Sequence, residues 1–395
     1  MNKKNSVLYL IIALGFLSAF GPFVTDMYLP SLPSLAGYFN TSTALAQMSL
    51  SFSMFGLAFG QILVGPLSDK YGRKRPLLIS MWLFVFSTIA CIFSWNIYSF
   101  VFFRLIQGAA GAGGVVLSKS VSTDLYTGRD LAKFMALIGA INGIAPVFAP
   151  VVGGVMMSFT NWIGIFIVLL FIGCILLCLS YGLYETLPIE KRSKKTILST
   201  FKTFGPVLQN RIFTFYTLQQ SFAMATMFVY IAASPFIIQK HYGYSPLIFS
   251  ICFGINAFGI GIGSALSLRF HQIKNSILTG NIGLLALAVV TTINLMLNVP
   301  LLEFEISLFL MLTFMGLTLP SSTALALDSA RDNIGTASAA LGAMTFILGG
   351  ICAPLVGIGN LLHSTAILIL ITTTTSLIFC ILAAKAKKAS CTIPE

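Results

Sequence analysis

Long apolar runs alternate with short polar clusters along the whole of this chain. The runs have approximate limits 7–30, 45–67, 76–95, 99–123, 131–157, 162–184, 212–239, 246–268, 276–298, 304–327, 335–360 and 364–384. As a helix, each is long enough to cross a hydrocarbon core of ~30 Å. The pattern predicts an all-α membrane protein with twelve transmembrane helices. The one long polar stretch, 185–211, separates an N-terminal half (1–184) from a C-terminal half (212–395), each of six helices. The first run begins after Asn2-Lys3-Lys4-Asn5 and continues through Asp26 to Pro30. It lacks a small-residue cleavage site of the A-x-A kind, so it is read as a retained helix and not a signal peptide. The halves also look like repeats. The second run holds Gly56-x-x-x-Gly60 and the eighth holds Gly259-x-x-x-Gly263, each a few residues before a basic turn. Two pseudo-symmetric halves of this kind suit a transporter with its site between them.

Composition agrees. The 395 residues are 57% hydrophobic and 9% charged, too apolar for a soluble chain of this length. A net charge of +12 would point to nucleic acid in a soluble protein. Here the basic residues lie at helix ends and in short turns, so they read as topology signals and contacts with anionic lipid, with no nucleic-acid partner. With a cytoplasmic N-terminus, all but three of the 23 Lys and Arg fall in cytoplasmic segments. Those segments carry Lys3 and Lys4, the 68–75 turn, Arg129 and Lys133, the 185–211 linker, Arg269 and Lys274, Arg331, and Lys385, Lys387 and Lys388. The exceptions are Arg104, Lys119 and Lys240. This bias places both termini in the cytoplasm. The seven cysteines are scattered without a CxxC spacing, and His241, His271 and His363 are isolated, so neither a metal nor a redox centre is assigned and no cofactor is expected.

A few polar residues fall inside the runs. Asp26, in the outer third of the first, is a carboxylate at a depth where charge is costly and kept for function. Such a group suits proton carriage. Arg104 lies five residues into the fourth run, at a depth matching Asp26, and needs an anion or carbonyl partner. The segment Gln107-Gly108-Ala-Ala-Gly111-Ala-Gly113-Gly114 lets a neighbouring helix approach closely. It is not a phosphate cradle, because it lies inside a span and lacks the Gly-Lys-Ser/Thr ending. The fifth run carries Gly139, Gly143, Pro146, Pro150, Gly153 and Gly154, a pattern that permits bending and tight packing. In the aromatic seventh run Phe222, Tyr230 and Phe236, with Tyr28 and Gln107 in the first half, are the candidate lining of a substrate cavity. Glu185, ending the sixth run, reads as structural. No paired acids, metal cluster or nucleophile–base pair stands out within the spans, which argues against an enzyme.

The stretch Gly65-Pro-Leu-Ser-Asp-Lys-Tyr-Gly-Arg-Lys-Arg-Pro-Leu-Leu78 puts Asp69, Lys70, Gly72, Arg73, Lys74 and Arg75 in one tight turn between two spans. It resembles, nearly position for position, the signature loop between helices 2 and 3 of the major facilitator superfamily. Asp26-Met-Tyr-Leu-Pro30, Arg104-x-x-Gln-Gly108, Glu185-Thr-Leu-Pro188 and Gly335-Thr-Ala-Ser-Ala339 extend the resemblance to the bicyclomycin-resistance (Bcr/CflA) type of drug:proton antiporter. Ala149-Pro150-Val-Val-Gly153-Gly154 resembles the end of the antiporter motif, with Ala149 where the family has Gly. Thr123, just before Asp124, stands where the family often has Arg. The resemblance covers essentially the whole chain. It implies the major facilitator fold and a monomeric, multi-pass protein of the bacterial inner membrane. That protein would exchange protons for small amphipathic drug-like molecules by alternating access and confer multidrug efflux and antibiotic resistance. A metabolite exporter or symporter (for a purine, peptide or siderophore) is the alternative on the same fold. The resemblance further implies that Asp26 and Arg104 couple protons and that the 65–78 loop is a conformational latch. Arg73 would pair with Asp124, Asp69 would approach the start of the eleventh span near Gly335–Ala337, and Gly65 would permit close approach.

Overall fold

A computed structural model describes residues 5–193, 202–330 and 334–391. Lys3, Lys4, Lys194, Lys195 and Arg331 of the basic set lie outside the described residues. Among the described residues there is no strand, and twelve helices are long and apolar enough to cross a membrane. They are numbered here α1 (Val7–Tyr38), α2 (Thr43–Tyr71), α3 (Lys74–Ile92), α4 (Ile97–Leu125), α5 (Gly128–Met157) and α6 (Trp162–Gly182). The second six are α7 (Arg211–His241), α8 (Pro246–Ser267), α9 (Ile273–Leu297), α10 (Leu301–Asp328), α11 (Ile334–Leu355) and α12 (Leu361–Ala386). A short helix, Phe204–Gln209, precedes α7 in what the sequence pattern shows as polar linker.

Polar residues at the run boundaries cap these helices. Asn96 and Ser99 exchange side-chain-to-backbone hydrogen bonds at the start of α4, with Ser99 N–H donating to Asn96 Oδ1 at 2.8 Å. Asn161, Asn210 and Ser245 cap α6, α7 and α8, where Pro246 takes the first helical position that needs no N–H. α1 departs from the sequence limits. It continues to Tyr38 in four pieces, Val7–Ser18, Phe20–Asp26, the 3₁₀ turn Leu29–Ser31, and Leu32–Tyr38. Pro30 and Pro33 stop the straight α-helix, but each sits in the first turn of a new piece, where a missing N–H is harmless. The chain is therefore interrupted there and not ended.

The chain divides into two compact units, residues 1–41 with 48–200, and residues 42–47 with 201–395. In the first, Leu14, Leu17, Phe20 and Val24 of α1 are buried against Met81, Phe84, Leu117, Val121 and Phe134 of α3, α4 and α5. Lipid is as apolar as these side chains, so close packing must supply the attraction between helices. Small residues make that possible. A Cβ on Gly56 would lie 2.1 Å from the Leu105 carbonyl oxygen, one on Gly60 2.4 Å from that of Ala109, and one on Gly108 2.0 Å from that of Ser53. α2 and α4 thus touch backbone to backbone. The second unit repeats the device between α8 and α10. A Cβ on Gly263 would meet the Thr313 oxygen at 1.9 Å, and one on Gly316 the Ile260 oxygen at 2.2 Å. The two small-residue spacings seen in the sequence are the two crossings. The basic-turn residue Gly65 differs, since a Cβ there meets nothing within 4 Å.

Gly56→Val and Gly108→Val are accordingly expected to destabilise the first unit by ~1–3 kcal/mol, as overpacking does. Gly65→Ala, in an open helical position, should be neutral or stabilise by up to ~1 kcal/mol. Thermal unfolding in detergent measures both. An equal loss at Gly65 and Gly56 would contradict the distinction.

Candidate functional site

α1, α4 and α5 meet where α1 is interrupted. Asp26 is the last residue of the piece Phe20–Asp26 and is 6% exposed. Arg104, on α4, is fully buried. Its Nη2 donates to the Val24 carbonyl at 2.9 Å, two residues before Asp26, and its Nη1 donates to Gln107 Oε1. The guanidinium lies 4.2 Å from the centre of the Tyr28 ring and 5.6 Å from that of Phe166. Desolvated contacts of this kind are worth ~2 kcal/mol each. Gln107 is fixed in turn, its Nε2 donating to Thr88 Oγ1 on α3 at 2.7 Å. Arg104 thus reaches the α1 segment around Asp26 through a carbonyl and a ring. Among the described residues no carboxylate ion-pairs with it. One buried carboxyl group and one buried cation share this stretch without a direct ion pair between them.

α5 closes the other side. Pro146 and Pro150 lie inside one continuous helix. A Cβ on Gly153 would come 1.9 Å from the Met27 carbonyl oxygen, immediately after Asp26, and 3.4 Å from Pro30. Gly153 is therefore what lets α5 lie against the break in α1. Gly154 is buried beside it. Gly143 plays no such part, since a Cβ there meets open space.

Of the cavity candidates, Tyr28 and Gln107 meet at Arg104, whereas Phe222, Tyr230 and Phe236 face different neighbours. Tyr28 is buried, its Oη 3.2 Å from Ser49 Oγ. Phe222 stacks on Phe379 of α12, and Phe236 is buried, with Lys240 Nζ 5.5 Å from its ring centre. Tyr230 stacks on Phe253, and its Oη accepts from Asn256 Nδ2 at 3.0 Å. Asn256 also donates to Glu305 Oε2 on α10, at 2.8 Å. The sequence reading passed over Glu305 because it placed the start of that run at 304. α10 begins at Leu301, so the carboxylate sits more than a turn into the helix. An Asn in the middle of the eighth apolar run was the available signal. Gln219 was also passed over. It accepts from Ser322 of α10, donates toward Asn281 of α9 at 3.4 Å, and its carbonyl accepts from Ser376 of α12 at 2.9 Å.

The 65–78 stretch forms the tight turn joining α2 to α3. Arg73 is 8% exposed and holds Asp124 by two bonds, Nε to Oδ2 at 2.8 Å and Nη2 to Oδ1 at 3.2 Å. Its Nη1 donates to Asp69 Oδ1 at 2.5 Å and to Ser68 Oγ at 2.8 Å. Burial lowers the basicity of Arg73, but the bonds to Asp124 and Asp69 outweigh it and hold the group above its ordinary range. Glu185 caps the start of α3, accepting from the N–H groups of Arg73 at 2.8 Å and Lys74 at 3.3 Å. Lys74 Nζ donates to the Tyr181 carbonyl at 2.8 Å. Ser193 N–H donates to the Asp69 carbonyl at 2.8 Å, so the 185–193 segment lies along the turn. Gly72 has φ +89°, and a Cβ there would strike Glu185 Oε2 at 2.3 Å. Both conformation and space demand glycine. Lys119, within α4, is exposed. The side chain of Asp124 is 14% exposed and that of Asp69 55%. Asp124→Asn should therefore cost ~3–5 kcal/mol, as loss of a buried ion partner does. Asp69→Asn should cost under ~1 kcal/mol, as at an exposed pair. Unfolding midpoints of the two purified variants check the contrast, and equal shifts would refute it.

A family model described as Major Facilitator Superfamily matches residues 12–354. The chain is 41% identical over 360 residues to the uncharacterized MFS-type transporter YdgK of Bacillus subtilis, covering 89% of each protein. It is 30% identical over 271 residues to a bicyclomycin resistance protein homolog of Haemophilus influenzae, covering 68% of each. Its fold is similar to that of a crystallised D-xylose-proton symporter, with TM-score 0.75, 14% identity, and coverage of 96% of this chain and 98% of that one. Twelve spans, a basic α2–α3 turn tied to Asp124, and a family match over most of the length converge on one conclusion: the chain is a multi-pass membrane protein of the Major Facilitator Superfamily of transporters.

Proposed function

We propose that this transporter is a proton-coupled exporter of small amphipathic drug-like molecules, of the bicyclomycin-resistance type. It would act as a monomer in the bacterial inner membrane with both termini in the cytoplasm. The two six-helix halves would alternate access. The observation that carries the reading is the junction of α1, α4 and α5. Asp26 is buried at a helix break, and the cation nearest to it in the bonding pattern, Arg104, is held by a carbonyl, an amide and two rings, none of them an acid. A carboxylate left without an ion partner in an apolar setting can accept and release a proton, or trade it for a cationic substrate. Arg104 would bias that exchange, and Gly153 would hold α5 close enough to seal it from water. The bicyclomycin resistance homolog, and the multidrug resistance protein MdtL of Salmonella typhimurium at 27% identity over 246 residues, support drug-like cargo. The latch role of Gly65, Asp69, Gly72, Arg73, Lys74 and Asp124 belongs to the same proposal.

Inverted membrane vesicles test it. With an inward-acid gradient, a wild-type chain that exports will load drug into the vesicles, and dissipating the gradient will release it. Asp26→Asn should lower gradient-driven loading at least ~tenfold with normal membrane insertion, and undiminished loading would sink the assignment. Arg104→Lys should also fail, because an ammonium cannot reach a carbonyl and an amide while stacking on rings. Uptake into right-side-out vesicles, driven by protons and specific for a metabolite, would favour the symporter alternative.

A further inference from the structure

A second carboxylate lies apart from the junction of α1, α4 and α5. Glu305, on α10, lines a crevice of about 500 Å³ between α8 and α10, together with Tyr244, Cys252, Ile255, Leu302 and Phe309. Ligand sites for drug-sized molecules span roughly 300–1,000 Å³, so the space is of useful size. The other lining side chains are uncharged. Asn256 fixes the carboxylate from behind, donating to Oε2 while the same Nδ2 donates to Tyr230 Oη. Oε1 is buried and has no donor among the described residues, and neither has Asn256 Oδ1. Tyr230 is itself buried and stacked on Phe253, so three helices hold the acid in place.

We propose that this crevice binds an organic ammonium carried on an apolar body. The chemistry selects that class. A buried acceptor without a donor calls for an N–H or a cation. A hydrated inorganic ion is a poor fit, because hard cations take six or more oxygen ligands and the lining offers one carboxylate among apolar walls. An ammonium keeps its N–H donors for Oε1 and gives its body to Ile255, Leu302 and Phe309. The rim supplies the way in: Ile255, Leu302, Ile306 and Leu310 are exposed on a membrane-spanning surface, so an amphipathic amine dissolved in lipid meets the crevice directly. This goes beyond the exporter reading, since it concerns binding at equilibrium and holds for transport in either direction.

The test uses the full chain in nanodiscs of phosphatidylglycerol, without a gradient, titrated with dansylcadaverine, a primary ammonium on an aromatic body. Its neutral N-acetyl derivative is the control. The wild type should bind the ammonium saturably and about tenfold more tightly than the control. Glu305→Gln keeps the shape and the bond from Asn256, so it should erase that preference and leave the neutral binding unchanged. Glu305→Asp should restore part of it. An ammonium preference undiminished in Glu305→Gln overturns the proposal. If that variant does not insert, Ile306→Trp decides, because it fills the crevice and leaves the acid. Lost binding supports the site, and unchanged binding overturns it. Discs containing phosphatidylethanolamine identify the source. A weaker apparent affinity in the wild type alone makes a lipid ammonium the resident ligand, and an unchanged affinity makes it a diffusible amine; both outcomes require the carboxylate site. Binding is read without a gradient and through changes at Glu305 and Ile306, so failure of the exporter reading leaves this result standing.

Discussion

In a bilayer the hydrophobic effect gathers helices into the membrane but does not press one against another, because lipid chains are as apolar as the side chains. Close contact then has to come from surfaces that let backbones touch. In this chain α2 meets α4 at Gly56, Gly60 and Gly108, and α8 meets α10 at Gly263 and Gly316, with no room for a Cβ at any of the five. Ser264 Oγ adds a bond to the Gly316 carbonyl at 3.2 Å across the second crossing. Each unit is organised around one such pair. Two charge-bearing residues share the helices of these crossings: Arg104 lies one turn before Gly108 on α4, and Glu305 three turns before Gly316 on α10.

Arg104 and Glu305 are held by different kinds of partner. Arg104 has a carbonyl, an amide and ring faces, with its buried Nε left without an acceptor, and Glu305 has one oxygen satisfied and one not. A cation held by neutral groups keeps its charge without cancelling a neighbouring acid, and Asp26 benefits from that. The break in α1 matters for the same reason. A straight helix would carry Asp26 past α5, whereas the 3₁₀ turn at Leu29–Ser31 presents the Met27 carbonyl to Gly153 and sets the acid inside the packing.

Much of this was legible in the sequence, for specific reasons. Run length alone gave twelve spans, because lipid permits no irregular backbone. The small-residue spacings at 56–60 and 259–263 marked the crossings because little besides a glycine allows them. The pairing of Arg73 with Asp124 followed from a resemblance. What stayed hidden depended on helix phase and on exact ends. The partner of Arg104 is a main-chain oxygen, which every residue has and no pattern marks. Glu305 seemed to lie at a helix end, and three further residues of α10 moved it inward. Glu185 was readable as structural, but its target, the free N–H groups of α3, is a property of the fold and not of any motif.

Gln219 has a mechanical consequence. One glutamine on α7 is bonded to α9, α10 and α12 at once, and Thr226 adds a hydroxyl link to Thr372 at 2.8 Å about two turns further on. Between α7 and α11 the side-chain link among the described residues is a hydroxyl pair, Ser221 with Thr345 at 3.3 Å, within a long packed seam. A force applied to α7 thus passes to α9, α10 and α12 through directional bonds and to α11 mainly through close packing. The second unit is braced through α7, and a load on that one helix reaches all four neighbours together.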